Sequence, residues 1–386
     1  MSACHPKQTV CFRPHFGRSV SLWHSLKAVV NAALLIPITL GGIMVRLLSL
    51  LFLILAVPAA AQTLPTASDF DDYVIEDKLY GEVHWHLDNV NAHSPGPLVV
   101  WLPGSGAMPY FQTYADGSVG FSLPTELLAF RDKAHFLLID KPGMPFSGMV
   151  EFDEERQRPV EMRNAAFRAG LSKDTLVARA SLAIKEARNQ LGTRATQLVI
   201  IGGSEGGQYT FALAKRLQAD RAIAWGGIAL PQYYDLVIDA RLKAERGEIT
   251  RSEAQRQVEQ IYASIRNIEQ NPYDTSEMPI DVPELLSGET YRRWASFGPY
   301  SAVQDMLALQ VPLLLIQGGA DSNAPILNSD YAMIAFLSQG RTNLEYWVYP
   351  DLDHYFRDVT RGPEVDPASK EKEVWTRVWQ WINKTS

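Results

Sequence analysis

Cysteine is nearly absent. The 386 residues hold two, Cys4 and Cys11, both near the N-terminus. The rest of the chain therefore has no thiol to pair, to oxidise or to ligate a metal. A basic face is also missing. The net charge is −7, and the five basic residues of segment 1–61 (Lys7, Arg13, Arg18, Lys27, Arg46) have no acidic counterpart there, so the remainder is more acidic than the whole. Phosphate backbones require clustered cations, and an acidic body without a basic stripe argues against nucleic acid as a ligand. No internal repeat or low-complexity run appears, which argues against solenoid and linker architectures.

What is present begins with an apolar segment. Residues 28–61 are interrupted by one charge, Arg46. Within them, Met44-Val45-Arg46, the apolar run Leu47 to Val57 and Pro58-Ala59-Ala60-Ala61 have the three parts of a secretory signal. The expectation is export to the periplasm or the medium after cleavage behind Ala61, with Met44 as the initiator. The alternative is an uncleaved anchor over residues 28–57, which are long enough to span a bilayer. No cysteine lies near Ala61 to carry a lipid.

The whole chain is 46% hydrophobic and 20% charged, a globular composition with ample core material. Two strand-like runs flank Tyr80-Gly81. From Leu98 onward strands are predicted at 98–102, 136–140, 197–201, 222–229, 312–317 and 344–349. Helical segments alternate with them, at 173–191, 208–217, 330–338 and 370–383. Such alternation predicts an α/β fold with a mostly parallel central sheet covered on both faces.

The strongest local signal follows the run Leu198-Val199-Ile200-Ile201. There Gly202-Gly203-Ser204-Glu205-Gly206-Gly207 forms a Gly-x-Ser-x-Gly turn between a strand and a helix. In such a turn the serine sits on a strained backbone, and small neighbours, here Gly202 and Gly206, let the chain pass. A serine hydroxyl is a weak nucleophile and needs a base. His354 is the only histidine after Ser204, and it sits in a loop behind the strand at 344–349. Asp321 follows the strand at 312–317 and a Gly-Gly turn. The chain order serine, acid, histidine is the one this turn requires. The carboxylate orients the imidazole and stabilises its cation. The amide of Glu205, next after the serine, is placed to stabilise a developing oxyanion.

From about residue 97 to the end the chain resembles the α/β-hydrolase superfamily. The resemblance rests on Leu98 to Gly106, on Phe136-Leu137-Leu138-Ile139-Asp140-Lys141-Pro142-Gly143, on the serine turn, and on the paired Asp321 and His354 loops. It implies a second oxyanion donor from Gly104-Ser105-Gly106, with Ser105 as the candidate. Pro103 stands where many members carry a histidine, and the backbone can still supply the donor.

Segment 231–310 carries no strand signal. Thr250-Arg251-Ser252-Glu253 reads as a capping box, and Ala254, Val258, Ile261, Tyr262, Ile265 and Ile268 share one face of the helix that follows, which Asn271-Pro272 ends. By the resemblance this insertion is a helical cap, dividing the core into 62–230 and 311–386. Tyr291, Trp294 and Phe297 are core residues or candidate pocket liners. Glu205 is either a tolerant position or the partner of a cap or pocket cation. Asp140 is an alternative acid. Asp351 and Asp353 read as loop residues. His84 and His86, with His93, are either metal ligands or edge-strand residues, and no third ligand is evident.

The expected function is an exported serine hydrolase acting on a carboxylic ester or related acyl bond. No metal or cofactor is implied. The partners are a small-molecule or peptide acyl substrate and a membrane only through an uncleaved N-terminus. The alternatives are an aminopeptidase-type enzyme and a non-catalytic binding protein. An aminopeptidase would need an acidic cluster, for which Glu245, Glu248, Glu253 and Glu259 are candidates.

Overall fold

The computed structural model describes residues 64–156, 158–279, 286, 288–361 and 369–384. The signal, the anchor alternative and both cysteines lie outside the described residues. The principal sheet has eight strands: β1 (Phe70–Asp77), β2 (Gly81–Asp88), β3 (Gly96–Leu102), β4 (His135–Ile139), β5 (Ala195–Gly203), β6 (Arg221–Trp225), β7 (Leu313–Gly318) and β8 (Leu344–Tyr349). Their spatial order is β1-β2-β4-β3-β5-β6-β7-β8. β1 and β2 pair antiparallel, as do β2 and β4, and the remaining pairs are parallel.

The helices are α1 (Ala165–Gly170), α2 (Lys173–Leu191), α3 (Glu205–Leu217), α4 (Gln232–Glu245), α5 (Arg251–Gln270), α6 (Tyr291–Phe297), α7 (Val303–Ala308), α8 (Ile326–Ser338) and α9 (Glu371–Ile382). Strand alternation sorts the core into two layers. Leu98, Val100, Ile200, Ala222 and Leu315 face α2, α3, α7 and α8. Val99, Trp101, Ile201, Ile223 and Ile316 face α9, whose Val374, Trp375, Val378, Trp381 and Ile382 repeat at helical spacing. Central strands buried on both faces need near-continuous apolar sequence, which is what made them legible.

A third apolar cluster joins Tyr233 and Leu236 of α4, Ile261 and Ile268 of α5, and Trp294 of α6. Phe297 and α7 instead pack into the main core. At the start of α5, Thr250 Oγ1 accepts from Glu253 N at 3.1 Å. The Glu253 carboxylate pairs with Arg256, so the expected capping box forms in one direction. Tyr262 turns to solvent, 47% exposed, away from the face it was assigned. Strand β6 ends at Trp225, four residues short of expectation, because Gly226 and Gly227 adopt φ of +84° and +72°. Three short strands, Phe111–Thr113, Val119–Phe121 and Ser147–Met149, form a small separate sheet that the sequence reading missed.

Candidate active site

Only Ser204 separates β5 from α3. Its φ of 51° and ψ of −121° place a non-glycine residue in a strained region, a cost of about 1–3 kcal/mol that the surroundings must offset. They do so through Ser204 N, which donates to Trp225 O at 2.9 Å, and Ser204 O, which accepts from Gln208 N at 3.3 Å. A Cβ on Gly202 would strike Thr210 Oγ1 and Gly206 O, and one on Gly206 would meet Pro103 O at 2.6 Å. The two flanking glycines are therefore steric necessities.

His354 Nδ1 donates to Asp321 Oδ2 at 2.7 Å, with both residues buried. The Asp321 carboxylate accepts three further bonds, from Asn323 N and Ala324 N at 2.8 Å and from Gln317 Nε2 at 3.2 Å. Gln317 Oε1 in turn accepts from Gly227 N at 3.0 Å and Ser329 Oγ at 2.7 Å. The acid loop is tied to the base loop by Gly319 N to Tyr349 O at 2.8 Å and Ala320 N to Leu352 O at 3.0 Å. A Cβ on Gly226 would lie 2.7 Å from His354 Cε1 and 3.5 Å from Ser204 N. The imidazole and the serine turn thus meet across a residue that has no side chain.

The loop after β3 lies against the serine. A Cβ on Gly104 would be 3.4 Å from Ser204 Cβ and 4.0 Å from its Oγ. Ser105 is exposed next to it. The Glu205 side chain, 1% exposed, pairs with Lys141 Nζ at 3.0 Å and with Arg293 Nη2 at 2.9 Å. Arg293 Nε also reaches the same Glu205 oxygen, at 3.0 Å. Burial acts to raise the Glu205 pKa, but the Lys141 and Arg293 charges outweigh it and hold the carboxyl below its ordinary value. Of the two readings left open for Glu205, the structure takes the ion pair, with Lys141 and with Arg293 of segment 231–310. Lys141 and Arg293 were not found by sequence reasoning. The one available signal was a lysine two residues behind the apolar run Phe136–Ile139.

Other candidates fall elsewhere. Trp294 and Phe297 are buried, Trp294 stacked on Tyr233 and Phe297 edge-on to Tyr209, so their rings serve packing and do not line an open pocket. The Tyr291 hydroxyl accepts from Asn267 Nδ2 within the insertion. Asp140 is bound to His86 Nε2 at 3.1 Å, and His86 Nδ1 lies 2.6 Å from Asp72, which occupies both imidazole nitrogens. His84 pairs with Glu82. Asp353 pairs with Arg357 inside its own loop. Glu245, Glu248 and Glu253 are paired with exposed arginines, and Glu259 with Gln255. Nearer the serine, Glu161 Oε2 accepts from Ala107 N at 3.2 Å, and Arg163 links Glu161 to Glu289. Among the described residues no group of three His, Cys, Asp or Glu could hold a metal. None of their helices is long and apolar enough to cross a membrane.

Residues 262–385 match the model of the prolyl oligopeptidase family, a span that contains Asp321 and His354. That span is less than half of the chain, whose mostly parallel sheet with helices on both faces is an α/β fold. It is similar to the acylaminoacyl peptidase of Pyrococcus horikoshii, at 11% identity and TM-score 0.49, with 81% of this chain and 41% of that one covered. It is also similar to dipeptidyl peptidase 4 of Porphyromonas gingivalis, at 13% identity and TM-score 0.45, over 81% of this chain and 35% of that one. An esterase of Pyrococcus furiosus matches at 12% identity and TM-score 0.43, over 81% of this chain and 91% of its own. The chain spans less than half the length of the two peptidases. No curated protein matches it.

Proposed function

We propose that the chain is an exported serine hydrolase that cleaves a carboxylic ester or related acyl bond through an acyl-enzyme on Ser204. The supporting observation is the buried 2.7 Å contact between His354 Nδ1 and Asp321 Oδ2 beside the strained Ser204 turn. Ser204 Oγ attacks the acyl carbon while His354 Nε2 takes its proton. Asp321 fixes the tautomer and stabilises the imidazolium. The tetrahedral oxyanion is held by the amides of Glu205 and Ser105. His354 then protonates the leaving group, and water repeats the cycle to release the acid. Export rests on the three-part signal that ends at Ala61.

A second reading, an aminopeptidase-type amide hydrolase, is favoured by the family match over residues 262–385 and by Glu161 at the loop that carries Ser105, with Glu289 joined to it through Arg163. Those carboxylates would replace Glu245, Glu248, Glu253 and Glu259 as the anchor for a substrate ammonium. A panel of chromogenic acyl esters and aminoacyl anilides, run on residues 62–386 and on Ser204→Ala, tests both. The expected result is ester turnover, fluorophosphonate labelling at Ser204, and loss of both in the folded variant. Turnover at wild-type rate in Ser204→Ala would end the proposal. Faster cleavage of anilides bearing a free amine than of blocked ones would favour the second reading.

A further inference from the structure

Glu205 carries more positive charge than its own burial requires. Arg293 meets it with two hydrogen bonds, at 3.0 and 2.9 Å, and one guanidinium is enough to neutralise one carboxylate. Lys141 is nevertheless buried beside it, its side chain only 5% exposed. Taking a second cation out of water is costly unless its hydrogen bonds are completed. All three ammonium donors are used: one on Glu205 Oε1 at 3.0 Å, one on Gly104 O at 2.6 Å and one on Gly106 O at 3.1 Å.

The two carbonyls reveal what the lysine does. In a trans peptide the C=O and the following N–H point in opposite directions. Drawing Gly104 O onto Lys141 turns the Ser105 N–H away from the lysine, on a loop whose Gly104 lies against Ser204. Drawing Gly106 O the same way turns out the Ala107 N–H, which donates to Glu161 Oε2. The third donor grips the side chain of Glu205, whose amide opens helix α3. One ammonium therefore bridges two stretches of backbone that lie about 100 residues apart in sequence, from 104–106 to 205.

We propose that Lys141 is a positioning residue that sets the spacing of the two oxyanion donors, the amides of Ser105 and Glu205. This rests on the reading of Ser204 as nucleophile. The Lys141 ammonium bonds to Gly104 O, Gly106 O and Glu205 Oε1, and to none of Ser204, Asp321 or His354. Its effect is on the transition state, because the donors must meet an oxygen that becomes an anion only there.

Lys141→Met keeps the aliphatic stem and leaves Glu205 with Arg293, a balanced pair, so the variant is expected to fold. Active sites are counted by fluorophosphonate titration, and turnover is expressed per titrated site, so unfolded molecules do not enter. The expected result is a fall in kcat of about tenfold to a hundredfold, somewhat below the loss of a whole oxyanion donor, with KM changed by less than about threefold. The Ki of a trifluoromethyl ketone, which forms a tetrahedral adduct on the serine, should rise by the same factor as kcat/KM falls. An unchanged kcat per site, or a higher KM at constant kcat, would overturn the inference. If Lys141→Met fails to fold, Lys141→Gln, which keeps a neutral donor of shorter reach, is read by the same criteria. A wild type that neither labels at Ser204 nor cleaves any acyl substrate would end the hydrolase reading. A labelled, active wild type with an indifferent Lys141→Met would end this inference alone.

Discussion

Two buried carboxylates stand on either side of Ser204, and the protein treats them differently. Asp321 is surrounded by dipoles: two backbone amides, the Gln317 amide and the His354 imidazole. Glu205 is surrounded by full charges, Lys141 and Arg293. Dipoles satisfy the lone pairs of Asp321 without cancelling its charge. That charge remains available to an imidazolium during turnover, which is what the acid of a triad must offer. Two cations leave Glu205 no charge to offer, and its side chain works as a fastener. Burial alone does not distinguish the two, since both are nearly inaccessible. What separates a reactive carboxylate from a structural one here is whether its partners carry charge.

Exchanging each acid for its amide should break that comparison in opposite ways. Asp321→Asn is expected to lower kcat by about three to four orders of magnitude, through the wrong imidazole tautomer, while the melting temperature changes little. Glu205→Gln should do the reverse. It leaves Lys141 and Arg293 buried without a counter-charge, and breaking such a group costs about 3–5 kcal/mol, so thermal unfolding should show a drop of several degrees with a smaller loss of kcat per titrated site. A large kcat loss without destabilisation in Glu205→Gln would mean that its charge takes part in chemistry.

A third carboxylate sharpens the contrast through pH. Burial pushes Asp235 up to about 7, against the bond from Asn328 and with a further push from Asp321. Glu205 is shifted the other way, below its ordinary value. The signs follow from linkage. The Glu205 contribution is present above its unfolded pKa and is lost as pH falls through its depressed folded value. The Asp235 contribution is present below its unfolded pKa and is lost as pH rises through about 7. Asp235→Asn should therefore raise the melting temperature by several degrees at pH 8 and by less than half as much at pH 5, where only part of the contribution has been lost, as scanning calorimetry would show. An equal gain at both pH values would make the effect one of packing and not of charge.

The sequence made the dipole-held acid legible and hid the partners of the charge-held one. Ser204, Asp321 and His354 each follow an apolar strand, and the parallel sheet brings the ends of such strands together, so their order along the chain was enough. Lys141 and Arg293 follow no pattern. They lie 64 and 88 residues from Glu205, and a single lysine or arginine in a polar stretch looks like any solvated residue until the fold closes over it. The aromatic rings at 294 and 297 were ambiguous for a related reason. Spacing shows that such rings share a helix face but not whether the opposing surface is solvent or protein. The overlong strand at 222–229 followed its apolar composition past Gly226, where positive φ redirects the chain while Ile228 and Ala229 stay buried.

The backbone bonds that join the loops of Asp321 and His354 have a mechanical consequence. Acid and base are riveted to each other at Gly319–Tyr349 and Ala320–Leu352, whereas the serine hangs from the neighbouring strand through Ser204 N and Trp225 O. Thermal motion between these parts of the sheet would leave the aspartate–histidine distance almost constant and modulate the gap to the serine. The entropy of aligning Asp321 with His354 is thus removed during folding.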